Sequence, residues 1–147
     1  MTRWILISFV FYAFLSAMPC AAQFKELRFE VQGTDCISCN ASLPERLKRI
    51  RGVESVVLEG NTAILKFTAE NRVRFEQLRD MIEQDGTKVK SASLIAKGKR
   101  EGDSFKVGTS LFALPAGSDL PADDIVIAAK VSDVHSNPMK LDQARAQ

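Results

Sequence analysis

The chain has 147 residues, of which 46% are hydrophobic and 26% are charged, and its formal net charge is +2 at pH 7. This balance is typical of a folded globular protein with one domain, or with one domain and an extension, and it excludes an intrinsically disordered chain. A charge this close to neutral gives no reason to expect a nucleic-acid partner.

The first 22 residues have the pattern of a secretory signal peptide. Arg3 forms a short basic region, an apolar run extends from Trp4 to about Ala17, and Pro19 precedes small residues suited to cleavage. The run is shorter than the roughly 20 residues that span a bilayer. We therefore expect cleavage after Ala22 and a periplasmic or secreted mature protein without a membrane span, with an uncleaved membrane anchor as the alternative. Loss of Arg3 leaves 19 of the 20 basic residues against 18 acidic ones.

The mature chain begins with a predicted strand and a predicted amphipathic helix. Apolar residues occupy every second position of "FKELRFEVQG", as in a strand with one buried face: Leu27, Phe29 and Val31. In "NASLPERLKRI" the apolar residues have helical spacing: Leu43, Leu47 and Ile50. Ser42 and Glu45 predict a capping box at the start of this helix.

Three further elements follow before residue 98. The segments "VESVVLEG" and "NTAILKFT" meet at Gly60-Asn61, which predicts a hairpin. "NRVRFEQLRDMIEQDG" predicts a second helix, with Asn71 as its cap and Gly86 as its stop. The inward-facing residues of that helix are predicted to be Phe75, Leu78, Met81 and Ile82. A strand from about Thr87 to Ala96 completes the series.

This order of elements predicts a fold class and a division of the chain. The order strand, helix, strand, strand, helix, strand is that of a ferredoxin-like α+β sandwich, in which both helices cover one face of an antiparallel sheet. Residues 98–147 have strand patterns at about 105–114 and 125–134 and in a short last strand, but no convincing amphipathic helix. We therefore expect a ferredoxin-like domain at 23–97 and a β-rich extension at 98–147, arranged as a small partial barrel or as hairpins.

The segment "GTDCISC", residues 33–39, places two cysteines two residues apart between the first strand and the first helix. Two thiolates at this spacing can reach one ion, and soft metals favour sulfur ligands: Cu(I) accepts two, whereas Zn(II) needs four ligands. The N–H groups at a helix start also stabilise a thiolate. In an oxidising compartment the same pair can form a disulfide. Metal binding, thiol exchange and a degenerate site therefore all remain open from the residues alone.

Residues from Phe24 to about Lys97 resemble the heavy-metal-associated domain of copper chaperones, the periplasmic mercury-binding protein and metal-exporting P-type ATPases. Gly33, Cys36 and Cys39 match the family motif, while Thr34 stands where the family has methionine. The resemblance implies a ferredoxin-like fold that binds one soft cation at the two cysteines and passes it on by ligand exchange. Asp35 is similar to the aspartate of zinc, cadmium and lead exporters, which implies a third ligand and favours a divalent ion.

We therefore predict an exported metallochaperone or metal buffer that holds one Cu(I), Zn(II), Cd(II) or Hg(II) ion at Cys36, Cys39 and Asp35. The predicted protein is a monomer whose partner is a metal transporter or another metal-binding protein. Two alternatives remain: a protein-interaction module on a degenerate metal-binding scaffold, and a periplasmic thiol-disulfide redox protein. The chain has one histidine, no Gly-rich phosphate loop and no recognisable pair of catalytic carboxylates, so we do not predict an enzyme.

Two other features have a plain interpretation. A basic cluster on the first helix is interpreted as a solvated face, or else as a docking surface for an acidic partner. Its members are Arg46, Lys48, Arg49 and Arg51. His135, the sole histidine, is interpreted as an ordinary turn residue distant from Cys36.

Overall fold

The computed structural model of the protein describes residues 23–32, 41–84 and 86–147. Within them the chain forms two helices, α1 (Ser42–Lys48) and α2 (Phe75–Glu83). It also forms the strands β1 (Gln23–Gln32), β2 (Val53–Glu59), β3 (Thr62–Phe67), β4 (Lys88–Glu101), β5 (Ser104–Val107), β6 (Ser110–Ala113), β7 (Asp124–Asp133) and β8 (Met139–Ala146). Neither helix is long and apolar enough to cross a bilayer.

The predicted order of the first six elements is confirmed, and so are their buried faces. β1, α1, β2, β3, α2 and β4 follow one another along the chain, with the predicted hairpin joining β2 to β3. All but one of the predicted inward residues of β1, α1 and α2 are buried: Leu27, Phe29, Val31, Leu43, Leu47, Ile50, Phe75, Leu78 and Ile82. Met81 is partly buried beside them. The spacing of apolar residues therefore predicts these elements and their buried faces correctly.

The predicted ferredoxin-like α+β sandwich is wrong as a fold class. In the described residues, 54% lie in strands and 14% in helices. The eight strands form one sheet in the order β2-β3-β1-β4-β5-β6-β8-β7, and a further pairing between β4 and β7 joins its last strand back to β4. Five strands, β4, β5, β6, β8 and β7, thus close into a barrel. The remaining three strands extend the sheet from one edge of β4.

The long strand β4 explains this difference. One edge of β4 pairs with β1, from Gln32↔Lys88 to Gln23↔Lys97. The other edge pairs with β7, from Ala92↔Val131 to Lys99↔Asp124. Residues 98–147 therefore do not form a partial barrel beside a finished sandwich, because β4 is a strand of the barrel. Residue 97, the predicted domain boundary, lies inside β4.

A glycine in β4 permits β5 to approach closely. At Gly98 a β-carbon would lie 2.2 Å from the backbone oxygen of Lys106 and 2.8 Å from Cε1 of Phe105. Any side chain at this position would therefore collide with β5. Glycine in a strand often marks such a close approach of two backbone segments.

The first strand predicted in the C-terminal region is in fact a hairpin. A single strand was predicted over residues 105–114, but β5 and β6 lie there as an antiparallel pair, from Ser104↔Ala113 to Val107↔Ser110. Gly108, between them, has a φ of +64°, a left-handed conformation that glycine adopts without steric cost. Gly108-Thr109-Ser110 interrupts the apolar pattern of residues 105–114, and Gly108 is the sequence signal of this turn.

The buried core is continuous from the helices into the barrel. One cluster of buried side chains includes residues of both helices and of strands in both parts of the sheet. The ring of Phe75 on α2 lies 5.0 Å from that of Phe29 on β1 and 5.6 Å from that of Phe112 on β6. Phe75 therefore connects the helical layer to both parts of the sheet.

The barrel also supplies the cap of α2. Arg74 at the N-cap position makes no side-chain cap, but the Oγ of Ser110 accepts a hydrogen bond from the Phe75 N–H at 3.0 Å and donates one to Glu76 Oε2 at 2.8 Å. Asn71, the predicted cap, is buried, and its Nδ2 donates to the carbonyl oxygens of Phe24 and Thr68 at 2.8 and 2.9 Å. The prediction failed because the true capping residue comes from a distant strand.

Replacing Ser110 with alanine should lower the free energy of unfolding by about 1–2 kcal/mol, because the helix loses its cap and Glu76 loses a donor. Urea titration followed by circular dichroism measures this change. Ser104→Ala is the matched control, since the Ser104 side chain makes no hydrogen bond within the described part of the chain. Equal destabilisation by the two substitutions would contradict the capping role.

Candidate metal site and its surroundings

The predicted metal ligands Asp35, Cys36 and Cys39 lie in residues 33–40, outside the residues that the structure describes. The structure does describe both ends of this segment. The segment begins after Gln32, the last residue of β1, and ends before Ala41, the N-cap residue of α1.

The end of β1 is held on both sides by backbone pairing. Gln32 pairs with Lys88, at the start of β4. On the other side, the N–H of Val31 donates to the carbonyl oxygen of Asn61 in the β2–β3 turn, at 2.9 Å. The chain therefore leaves the sheet from a fixed position, with β4 on one side and this turn on the other.

The start of α1 is held by packing and by one arginine. Leu43 and Leu47 are buried in the core. The Nη2 of Arg46 donates to the carbonyl oxygen of Met81 near the end of α2, at 2.9 Å. Ala41, and not the predicted Ser42, takes the N-cap position and makes no side-chain cap, while Ser42 is already helical. The buried face of α1 and the Arg46 hydrogen bond hold the helix against the core.

The basic cluster predicted on α1 is only partly a free surface. Arg46 is half-buried and holds the two helices together, whereas Lys48, Arg49 and Arg51 are exposed. Arg46 therefore has a structural role, and three cations remain available at the surface.

A histidine–glutamate pair lies at the same end of the sheet as the exit of β1. The Oε1 of Glu83 accepts the N–H of Val89 at 2.8 Å, and Val89 pairs with Val31. The same oxygen lies 2.8 Å from Nε2 of His135. His135 is a turn residue, as predicted, and its backbone N–H donates to Oδ1 of Asp133 at 3.2 Å. Sequence reasoning could not find this pair, because the two residues belong to distant elements.

This pair does not make a metal centre by itself. Among residues 23–32, 41–84 and 86–147, no three or more histidine, cysteine, aspartate or glutamate side chains are grouped so that they could hold a metal ion. The thiolate and carboxylate ligands proposed from the sequence are therefore not replaced by another cluster in the described part.

A cleft lies at the opposite end of β1, around the buried Asn71. Its volume is 780 Å³, and charged residues of both signs line it: Arg51, Glu70 and Arg72. Asn71 Oδ1 accepts no hydrogen bond within the described residues. The mixed charges of this cleft select no class of ligand.

Comparison of the chain with protein-family models, with curated proteins and with solved structures gives no match. A function for this chain therefore has to be argued from its own residues and geometry.

Proposed function

We propose that the chain is an exported heavy-metal-binding protein, a metallochaperone or metal buffer, that holds one soft or borderline cation at Cys36 and Cys39. The observation that supports the proposal best is the position of the pair: two cysteines, two residues apart, in a short segment between β1 and α1. The metal is the cargo of the protein. A metal transporter or another metal-binding protein is the partner that receives it.

The fixed ends of the segment support this function on physical grounds. Binding one ion with two side chains costs conformational entropy, because the intervening chain must be ordered. Here Gln32 is paired within the sheet, and α1 begins at Ser42 with its apolar face buried, so the segment that joins these two fixed points is short. A short connection between anchored elements reduces the entropic cost of bringing two thiolates together.

The ligand types support a thiophilic ion, with Asp35 favouring a divalent one. Thiolates are soft ligands that suit Cu(I), Zn(II), Cd(II) and Hg(II), whereas a carboxylate is a hard ligand. Asp35 next to Cys36 adds a negative charge that a divalent cation offsets better than a monovalent one. The proposed ligand set is therefore Cys36, Cys39 and Asp35.

Export is part of the proposal because residues 1–22 have the signal-peptide pattern. In an oxidising compartment the two thiols are exposed to disulfide formation, and a bound metal protects them from it. We propose a periplasmic or secreted monomer that carries the ion while both of its thiols remain reduced.

The test is an anaerobic metal titration of the reduced mature chain, residues 23–147, with Cu(I), Zn(II), Cd(II) and Hg(II) in separate experiments. We expect one equivalent to bind, with ultraviolet thiolate-to-metal charge-transfer absorption for the soft ions. The Cys36→Ser, Cys39→Ser double variant should lose this site, because a neutral hydroxyl does not replace a thiolate as a ligand. Asp35→Asn should weaken Zn(II) and Cd(II) by about tenfold to hundredfold and Cu(I) much less.

Two outcomes would contradict the proposal. One is stoichiometric metal binding that survives in the double cysteine variant. The other is no metal binding by the reduced chain, which would favour the interaction-module alternative, or the redox alternative if the dithiol reduction potential is also well above about −300 mV.

A further inference from the structure

A groove crosses the face of the sheet that points away from the helices. On β1, Leu27 and Phe29 are buried, whereas Arg28 between them is exposed on the other face. The groove has a volume of 390 Å³ and extends over β1, β4, β7 and β8. Its outward-facing lining residues include Arg28, Ser93, Ile95, Ala128, Lys130 and Arg145.

The groove has an excess of positive charge. Glu26 is the one acidic residue among the described residues that line the groove, and it is paired with Arg28, with 2.6 Å between Glu26 Oε1 and Arg28 Nε. Lys130 and Arg145 are both exposed, and within the described residues neither forms an ion pair or a hydrogen bond through its side chain. Lys130 and Arg145 therefore give this face of the sheet a local excess of positive charge.

The strand register places the two free cations close together. Lys130 pairs with Gln143, and Ala128 pairs with Arg145. Lys130 and Arg145 are thus diagonal neighbours on adjacent antiparallel strands, a relation in which long side chains reach the same ligand. Two like charges held side by side attract an anionic group with more than one carboxylate.

The floor of the groove suits an extended polypeptide. Ser93 and Ala128 are small, so a backbone can approach closely, and the half-buried Ile95 offers apolar surface. Strands in a sheet lie about 4.8 Å apart, so four strands span about 14 Å. An extended chain covers about 3.3 Å per residue, so about four residues cross the groove.

We propose that this groove is a docking site for an acidic, extended segment of a partner protein. Carboxylates of the partner pair with Lys130 and Arg145, and Arg145 can hold a carboxylate by two parallel hydrogen bonds. Small or apolar side chains of the segment lie against Ile95 and Ala128. Charge complementarity identifies this occupant: a nucleic-acid strand requires a longer series of cations along its phosphates than two.

The docking site does not depend on the proposed metal site. The described residues that line the groove lie on β1, β4, β7 and β8, away from Gln32 and Ala41, which flank residues 33–40. Peptide binding should therefore persist in the Cys36→Ser, Cys39→Ser variant, so failure of one proposal is distinguishable from failure of the other.

The test is an NMR titration of ¹⁵N-labelled mature chain with a ten-residue peptide of alternating glutamate and alanine. We expect amide shifts centred on Ser93, Ala128 and Gln143, and an affinity that falls as salt is raised. The Lys130→Gln, Arg145→Gln variant should bind about fivefold to tenfold more weakly, since two exposed ion pairs are lost. Both side chains are exposed, so this variant should keep the fold.

Two matched controls make the test specific. A peptide of alternating glutamine and alanine has the same length without the carboxylates. The Lys48→Gln, Arg49→Gln variant removes the same charge from the C-terminal end of α1 and its C-cap, on the helical side of the sheet, and should change affinity by less than about twofold.

Any of three results would overturn the proposal. The first is equal binding of the glutamine peptide. The second is unchanged affinity in the Lys130→Gln, Arg145→Gln variant, or shifts confined to α1, since docking would then not occur in the groove. The third is tighter binding of a ten-nucleotide DNA strand than of the acidic peptide.

Discussion

Replacing Gly98 with alanine should lower the free energy of unfolding by about 3 kcal/mol or more, because the added methyl group meets backbone that has no alternative position. The new β-carbon would lie 2.2 Å from the carbonyl oxygen of Lys106. Relief of this overlap requires β5 to separate from β4. Gly98 is not in the left-handed region, so the effect is steric and does not arise from backbone torsion.

The measurement is guanidinium or urea unfolding of the Gly98→Ala chain against wild type. Gly117→Ala is the control, because a β-carbon there meets nothing within 4 Å and the only cost comes from its φ of +79°. That control should lose about 1 kcal/mol. A Gly98→Ala variant within about 0.5 kcal/mol of wild type would show that β5 does not approach β4 as described.

Replacing Phe75 with alanine should cost about 3–5 kcal/mol, because it removes a fully buried aromatic ring and leaves a cavity. The ring contacts Phe29 in the three-strand part of the sheet and Phe112 in the barrel. We therefore expect the helices and the barrel to lose stability together, in one unfolding transition. Phe75→Leu keeps much of the volume and should cost clearly less.

Thermal unfolding followed both by far-ultraviolet circular dichroism and by NMR signals of the barrel strands measures this coupling. Val57→Ala, on the exposed face of β2, should change stability by no more than about 0.5 kcal/mol. If Phe75→Ala shifted the transition of the helices and of β1, β2 and β3 and left that of the barrel unchanged, the continuous core would not behave as one unit.

The sequence predicts the individual helices and strands of this fold better than it predicts which strands pair with one another. Alternation at Leu27, Phe29 and Val31 identifies a strand and its buried face, because both are local properties of the chain. The pairing of β4 with β7 joins residues that are distant in sequence, and nothing in the pattern of either strand specifies the other. The barrel was missed for this reason, although most of its strands were recognised.

The candidate sites show the same contrast between features within one segment and features that join distant segments. The Cys36 and Cys39 pair was found from spacing alone, because both ligands belong to one short segment. The groove draws its cations from three separate strands, at Arg28, Lys130 and Arg145, and only the sheet register brings them together. Ser110 was not recognised as a cap, because it is far in sequence from the helix that it caps.

The seam between β6 and β8 is the one junction of the barrel at which the strands run parallel, and two residue pairs form it, Phe112↔Met139 and Ala113↔Lys140. β6 and β8 are also the barrel neighbours with the fewest paired residues. On heating, the barrel should open first between β6 and β8. Solvent should then reach the interior of the barrel before any other pair of strands separates. Since Ser110 at the start of β6 also caps α2, such opening would loosen the first turn of that helix in the same event.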